Sequence, residues 1–236
     1  MINSQSLREQ IYSHLRNEIK NGTLKPGTSI NMDNLSKELS ISKTPLREAL
    51  IKLECQGFVE MLPRKGVQVK KLTYGELKEY YEIIGFLESA VVDSVFDQLI
   101  SPSVIEKMKQ SNAQQKIFLN TQEFDRYYQL NLEFHDIFLT LLNNKMLQEI
   151  VVPLKKRLYD FPWHRLWEDW EKVNLDEHDK LIANIEKGDR LAAAAVIRDE
   201  HWGWKKHEPY FIKFYNFDVL ERQIIKPANK YVHYAA

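Results

Sequence analysis

The period of a helix gives way to the period of a strand within one short tract of this chain, Ile41 to Lys71. In "ISKTPLREALIKLECQGF", Leu46, Ala49, Leu50 and Leu53 recur at helical spacing on one face. Gly57 is a stop signal, so that helix is expected to run to about Gln56. "FVEMLP" and "GVQVKK" then alternate, and "PRKG" joins them, which predicts a β-hairpin. Upstream, Leu7, Ile11, Leu15 and Ile19 mark an amphipathic helix over residues 5–21. Asn21-Gly22 and Pro26-Gly27 break it. Asp33 is expected to cap a short second helix through about Leu39. Helix, short strand, helix, turn, helix and two-stranded wing, in that order, make a winged helix-turn-helix over residues 5–71.

In such a module the N-terminal residues of the later helix enter the major groove of DNA. Pro45 is expected as its first helical residue and Thr44 as its N-cap, leaving free N–H groups for a phosphate. Arg47, one turn in, is placed to read guanine O6 and N7. Ser42, Lys43 and Thr44 are natural phosphate ligands. Arg64 and Lys65, beside flexible Gly66, would set the wing along a groove or the backbone. The plain alternative is a capped helix and a solvated hairpin. The formal charge of the 236 residues is zero, but it divides unevenly. Residues 1–71 hold 12 Lys+Arg against 7 Asp+Glu, and the remainder is acidic by the same margin.

The chain is long enough for two domains, expected at 1–71 and 72–236, and 44% apolar residues can fill their cores. No apolar run reaches the ~18 residues of a membrane span, and no signal peptide is read at the start. A cytoplasmic protein without membrane contact is the expectation. The one cysteine, Cys55, is read as a small core residue. Beyond "KKLTYGEL" the patterns are helical, with helices expected near 73–99, 102–120, 123–143, 146–160, 163–172, 174–187 and 190–207. Residues 208–236 yield no clear pattern. The fold class is mainly α: the winged module followed by an all-α bundle.

Four residues of the second part attract notice. Asn131 and His135 stand at i and i+4 in "NLEFHDIF", on one helical face. His178 and His201 lie on consecutive helices, about ten and twelve residues from the Gly188-Asp189 joint, so antiparallel packing brings them to similar heights. Three imidazoles and one side-chain oxygen suit Zn²⁺, Ni²⁺ or another divalent transition ion. Three unrelated histidines are the plain alternative. Trp163, Trp167 and Trp170 recur at i, i+4 and i+7, a stripe that reads more readily as core or dimer seam than as a ligand wall. His164 and His207 are assigned no role.

Residues 7–71 resemble the N-terminal domain of GntR-family bacterial transcription regulators through "GTLKPG" and "LSKELSISKTPLREALIKLECQGFVEMLPRKGVQV". The resemblance implies a homodimer on a pseudo-palindromic operator, with Lys43, Thr44, Arg47, Arg64 and Gly66 at DNA-contacting positions. Asp33 departs from it, standing where the family usually has a basic residue, and moves the expected backbone grip toward Lys43 and the wing. "NLEFH" and "EHDKLIANIEKGDRLAAAAVIRDEH" are similar to the metal-binding pattern of the FCD effector domain of the FadR-like subfamily. That likeness assigns Asn131, His135, His178 and His201 to a divalent metal. Many relatives carry an arginine where this chain has Ile84 and Gly85, so an arginine clamp on a carboxylate effector is unsupported.

The expectation is a non-enzymatic, dimeric transcription regulator. A small-molecule effector, an organic acid or related metabolite, would bind near the metal. The alternatives are a DNA-binding protein with a structural metal and no effector, or a metal-dependent hydrolase. For the last, Asp136 and Glu177 are candidate bases at helical positions that do not favour them.

Overall fold

The computed structural model describes residues 6–64, 66–159 and 168–215, with backbone alone at 214 and 215. The N-terminal part begins with α1 (Leu7–Lys20), capped by the Ser6 side chain. Ile11, Leu15 and Ile19 are buried as their spacing requires, whereas Leu7 is about half exposed. Strand β1 (Ser29–Ile30) leads into α2 (Met32–Glu38). Asn31, not Asp33, is its N-cap, accepting from the Asp33 and Asn34 N–H groups. The strand pairing ends with Ile30 on Val67, and the next residue, still extended, takes the cap.

Helix α3 (Lys43–Cys55) starts two residues earlier than expected, with Ser42 as a cap whose side chain makes no capping bond. Thr44 and Pro45 are therefore the second and third helical residues. Proline is tolerated there because the first-turn N–H groups have no intrahelical acceptor. Leu46, Ala49, Leu50 and Leu53 are completely buried. Cys55 is exposed, since it falls off that stripe. Strands β2 (Val59–Leu62) and β3 (Gly66–Val69) form the hairpin, and the antiparallel sheet runs β1-β3-β2. Lys65 lies outside the described residues. One apolar core joins α1, α3 and the sheet through Ile19, Leu50, Phe58 and Val67.

The C-terminal part is helical: α4 (Tyr74–Ser94), α5 (Phe96–Leu99), α6 (Pro102–Asn120), α7 (Phe124–Leu141), α8 (Lys145–Tyr159), α9 (Glu168–Glu186), α10 (Arg190–Ala195) and α11 (Trp204–Tyr215). Thr73 and Glu76 form a reciprocal capping box at the start of α4. The single helix expected over 73–99 is two, broken at Val95. The two helices expected over 163–187 are one along its described length. Trp163, His164 and Trp167 lie outside the described residues, while Trp170 is buried against Tyr210 and Phe211. The helix expected over 190–207 widens into a π-helical turn, Val196–His201. Pro209 sits inside α11. A second core, separate from the first, unites α4, α7, α9 and the α10–α11 region.

Candidate metal centre and nucleic-acid interface

Helix α7 carries His135, α9 carries His178, and the π turn ends in His201. The wider turn inserts one residue, and both His201 and Trp202 face the interior. One nitrogen from each histidine lies within 4.8 Å of the others, a span one ion can bridge. Phe134 stacks on the His178 ring at 3.9 Å between centroids and fixes its plane.

The surroundings set the tautomers. His135 Nδ1 donates to Glu88 Oε2 at 2.7 Å. His201 Nδ1 donates to Glu177 Oε2 at 3.2 Å. Asn112 donates through its amide nitrogen to the Leu175 carbonyl and to Asp179, so its oxygen faces His178 Nδ1 at 3.1 Å and accepts. With Nδ1 donating in the neutral rings of His135 and His178, their Nε2 atoms carry bare lone pairs. The Nε2 atoms of His135 and His178 are buried with no hydrogen-bond partner. Orphaned acceptors of this kind, each backed by a carboxylate or amide, are what a transition-metal ligand set requires. Asn131, one turn before His135, is buried, and its Oδ1 accepts from the Tyr159 hydroxyl at 2.9 Å, leaving Nδ2 unpartnered. A half-turn of the amide lets that hydroxyl accept from Nδ2 and puts the oxygen on the open side.

Glu88, on α4, is the hub: Lys155 Nζ reaches its Oε1 at 2.8 Å and Trp202 Nε1 its Oε2 at 2.8 Å. Burial works to raise the Glu88 carboxyl, but the Lys155 charge and the hydrogen bonds from His135 and Lys155 outweigh it and hold it ionised. Burial lowers Lys155, against the pull of Glu88. Glu177 is likewise held down to about 2: burial opposes, and the bonds from His201 and Lys206 prevail.

Burial also pushes His135 down to about 3, His207 down to about 4, and His178 well below its ordinary 6.5. These imidazoles stay neutral in the fold but take up protons near 6.5 when it opens. Their contribution to stability is complete above that pH and is lost as pH falls. The loss is about 1.4 kcal/mol per pH unit for each group. Below about 4.5 the depressed carboxylates Glu88 and Glu177 add a loss of the same sign. The melting temperature of metal-free protein should thus be flat above pH 7 and fall between 6.5 and 4.5. A flat profile across that window would contradict the neutral, buried histidines.

A cavity of about 20 Å³ adjoins His201, lined by Tyr81, Tyr159, Trp170, Glu171, Trp202 and Phe211 among others. It has room for about one water. At Gly85 an added Cβ would come 2.8 Å from the Trp202 Cβ. The lack of an arginine at Ile84 and Gly85 thus accompanies close docking of Trp202 on α4.

In the winged module, Ser42, Lys43, Thr44 and Arg47 are exposed on the first turns of α3. Arg64 and Gly66 turn the wing in the left-handed region, at φ 64° and 91°. Asp33 forms an ion pair with Lys43, so Lys43 does not replace a lost basic contact as freely as expected. Arg47 and Arg64 have no ion-pair partner among the described residues. The fold thus brings the three histidines together, with Asn131 one turn before His135, and leaves Ser42, Lys43, Thr44 and Arg47 exposed on α3.

Glu88, Asn112, Lys155 and Trp202 escaped the sequence reading. Glu88 alone left a trace, an acidic residue in register with Ile84 and Val91 on the apolar face of α4. Glu177, set aside on helical position, does reach the centre through His201.

The family model described as "Bacterial regulatory proteins, gntR family" matches residues 7–69, and that described as "FCD domain" matches residues 79–201. The uncharacterized HTH-type transcriptional regulator YdhC of Bacillus subtilis is 28% identical over 185 residues, covering 78% of this chain and 83% of YdhC. The gluconate operon transcriptional repressor of Bacillus subtilis is 25% identical over 194 residues, 79% of this chain and 77% of the repressor. Among solved structures, McbR/YncC of E. coli superposes with a TM-score of 0.65 at 20% identity, covering 90% of this chain and 98% of that one. That likeness supports the shared fold.

Proposed function

Since the chain belongs to the GntR family of bacterial regulatory proteins and carries an FCD domain, and is a DNA-binding transcriptional regulator, we propose that it works as a homodimer whose hold on a pseudo-palindromic operator responds to ligand at the His135–His178–His201 centre. The observation that carries this reading is the convergence of the three imidazoles, two of them with buried, unpartnered Nε2 atoms. They would hold Zn²⁺, Ni²⁺ or a similar divalent ion, with the Asn131 oxygen as a fourth ligand. When bound, the ion supplies a positive charge that attracts an anionic effector.

The effector class is a small organic acid or related metabolite. The cavity beside His201 holds about one water, so such a ligand enters only as Trp202 and Tyr81 give way. Entry and conformational change are then one event, which is how an effector biases two states. The same tight packing favours a second reading, a metal site that responds to no organic ligand. Native mass spectrometry separates the two by the presence or absence of a co-purified acid. A hydrolase is disfavoured, because Glu88 and Glu177 are committed to histidine Nδ1 atoms and cannot also serve as free bases.

On DNA, Arg47 would read a base while Ser42, Lys43, Thr44, Arg64, Lys65 and Gly66 hold the backbone. Among the described residues no helix is long and apolar enough to cross a membrane. We place the protein in the cytoplasm with its operator. Ile83 and Phe86, exposed and three residues apart on α4, supply an apolar face for the dimer. Phe86→Glu should shift sedimentation toward the monomer and weaken operator binding at least about tenfold; an unchanged dimer would remove α4 from the interface.

The regulator reading is tested by selecting full-length, chelator-stripped protein against a random duplex pool and repeating with Zn²⁺ or Ni²⁺ added. Enrichment of a two-fold symmetric sequence, with an affinity that metal changes, is expected. Enrichment without any metal effect overturns the proposed control.

A further inference from the structure

Two of the largest buried side chains among the described residues are cations, and they stand two residues apart at the end of α8. Lys155 and Arg157 are each only 1% exposed. Burying a cation costs several kcal/mol unless partners offset it, so both side chains have restricted places to go. Successive odd positions here serve different domains. Lys155 bonds Glu88, which bonds His135, and Tyr159 bonds Asn131. Between them Arg157 points to the winged module. Its guanidinium lies over the Phe58 ring at 5.1 Å and donates to the Lys70 carbonyl at 3.4 Å. A Cβ on Gly57 would come 3.5 Å from Arg157 Nε, so the backbone at the end of α3 also rests against it. Pro153 precedes this turn and removes the N–H that would bond the Glu149 carbonyl. The final turn of α8 is thereby less tied to the rest of the helix.

We propose that the Lys155–Tyr159 turn of α8 is the relay between the metal centre and the DNA-binding module, with Arg157 as its output contact. The inference rests on the functional reading above. His135, His178 and His201 would hold the ion with Asn131, and binding there would draw on His135 and Asn131. Their partners Glu88 and Tyr159 adjust, and Lys155 follows Glu88 because a buried carboxylate and ammonium stay paired. Arg157, on the same turn, moves against Phe58 at the end of α3 and against Lys70 at the end of the wing. The recognition helix and the wing are thus shifted by one residue. Coupling through such an element is reciprocal: operator DNA must change metal affinity by the same factor.

The test compares wild type with Arg157→Met, which keeps an apolar stem over Phe58 and removes the charge and the donor. Operator affinity of full-length protein is measured by fluorescence anisotropy on the selected duplex, before and after Zn²⁺ is added to stripped protein. Wild type is expected to change affinity by about tenfold. Arg157→Met is expected to bind Zn²⁺ as wild type does, yet to change operator affinity by less than about twofold. An equal response in both proteins overturns the relay alone. A wild type indifferent to Zn²⁺ overturns the functional reading and the relay with it. Hydrogen exchange guards against a variant that does not fold. Zn²⁺ should alter protection in wild-type peptides covering both 153–159 and 66–71, and a change confined to the first overturns the relay.

Discussion

A chain carrying both His178→Ala and His201→Ala should retain no divalent metal after dialysis, while wild type retains one ion per protomer by elemental analysis. Losing two of three imidazole ligands removes most of the donor set, and the remaining His135 is already bonded through Nδ1 to Glu88. The expected consequence for stability follows from linkage. Metal at about a hundred times its Kd stabilises the fold by about 2.7 kcal/mol. For a chain of this size that raises the melting temperature by roughly 5–10 °C. Added Zn²⁺ should produce that rise in wild type and none in the double variant. Equal metal content in the two proteins would reject the site. The substitutions themselves are read from the metal-free melts, since both remove buried rings and take one hydrogen-bond partner each from Glu177 and Asn112.

Arg47→Ala should abolish sequence discrimination while leaving the fold intact. A bidentate arginine–guanine pair discriminates by about 1–3 kcal/mol, and a two-fold dimer would use it twice. The summed loss, about 2–6 kcal/mol, is comparable with the whole margin of specific over non-specific binding in many regulators. Arg47 is exposed and has no ion-pair partner among the described residues, so its truncation should alter stability by less than about 0.5 kcal/mol. The measurement is competition between the selected operator and unrelated duplex at fixed salt. Discrimination equal to wild type would take base reading away from Arg47.

The difference between these residues and the ones that surround them explains how much could be read in advance. Arg47 and its turn were legible because a helix-turn-helix is a local object: its helices, turn and wing follow from periods and breakers within 70 residues. The errors there were also local. Asn31 and Asp33 are both good caps, and only the pairing of Ile30 with Val67 selects between them. Thr44-Pro45 resembles a helix start, yet first-turn tolerance for proline lets α3 begin at Lys43. Cys55 reads as core because it lies inside an apolar helix, yet it is exposed, off the stripe set by Leu46, Ala49, Leu50 and Leu53.

The histidines were legible for a second reason. His135 follows Asn131 by one turn, and His178 and His201 are nearly equidistant from one sharp break, so helical arithmetic alone brings them close. That arithmetic assumed a regular helix through His201. The π turn replaces it, and its extra residue presents Trp202 to Glu88 as well.

Local periodicity and short-range spacing therefore settle the element types, the winged module and the identity of the clustered imidazoles, because each depends on residues within a few turns of one another. The orientation of those imidazoles, the neutrality imposed on His135 and His178, and the contact from α8 to Phe58 and Lys70 belong to the folded chain alone. They depend on partners 47 to 87 positions apart in the cases of His135 with Glu88 and Arg157 with Lys70, and on exclusion of water that no linear pattern encodes.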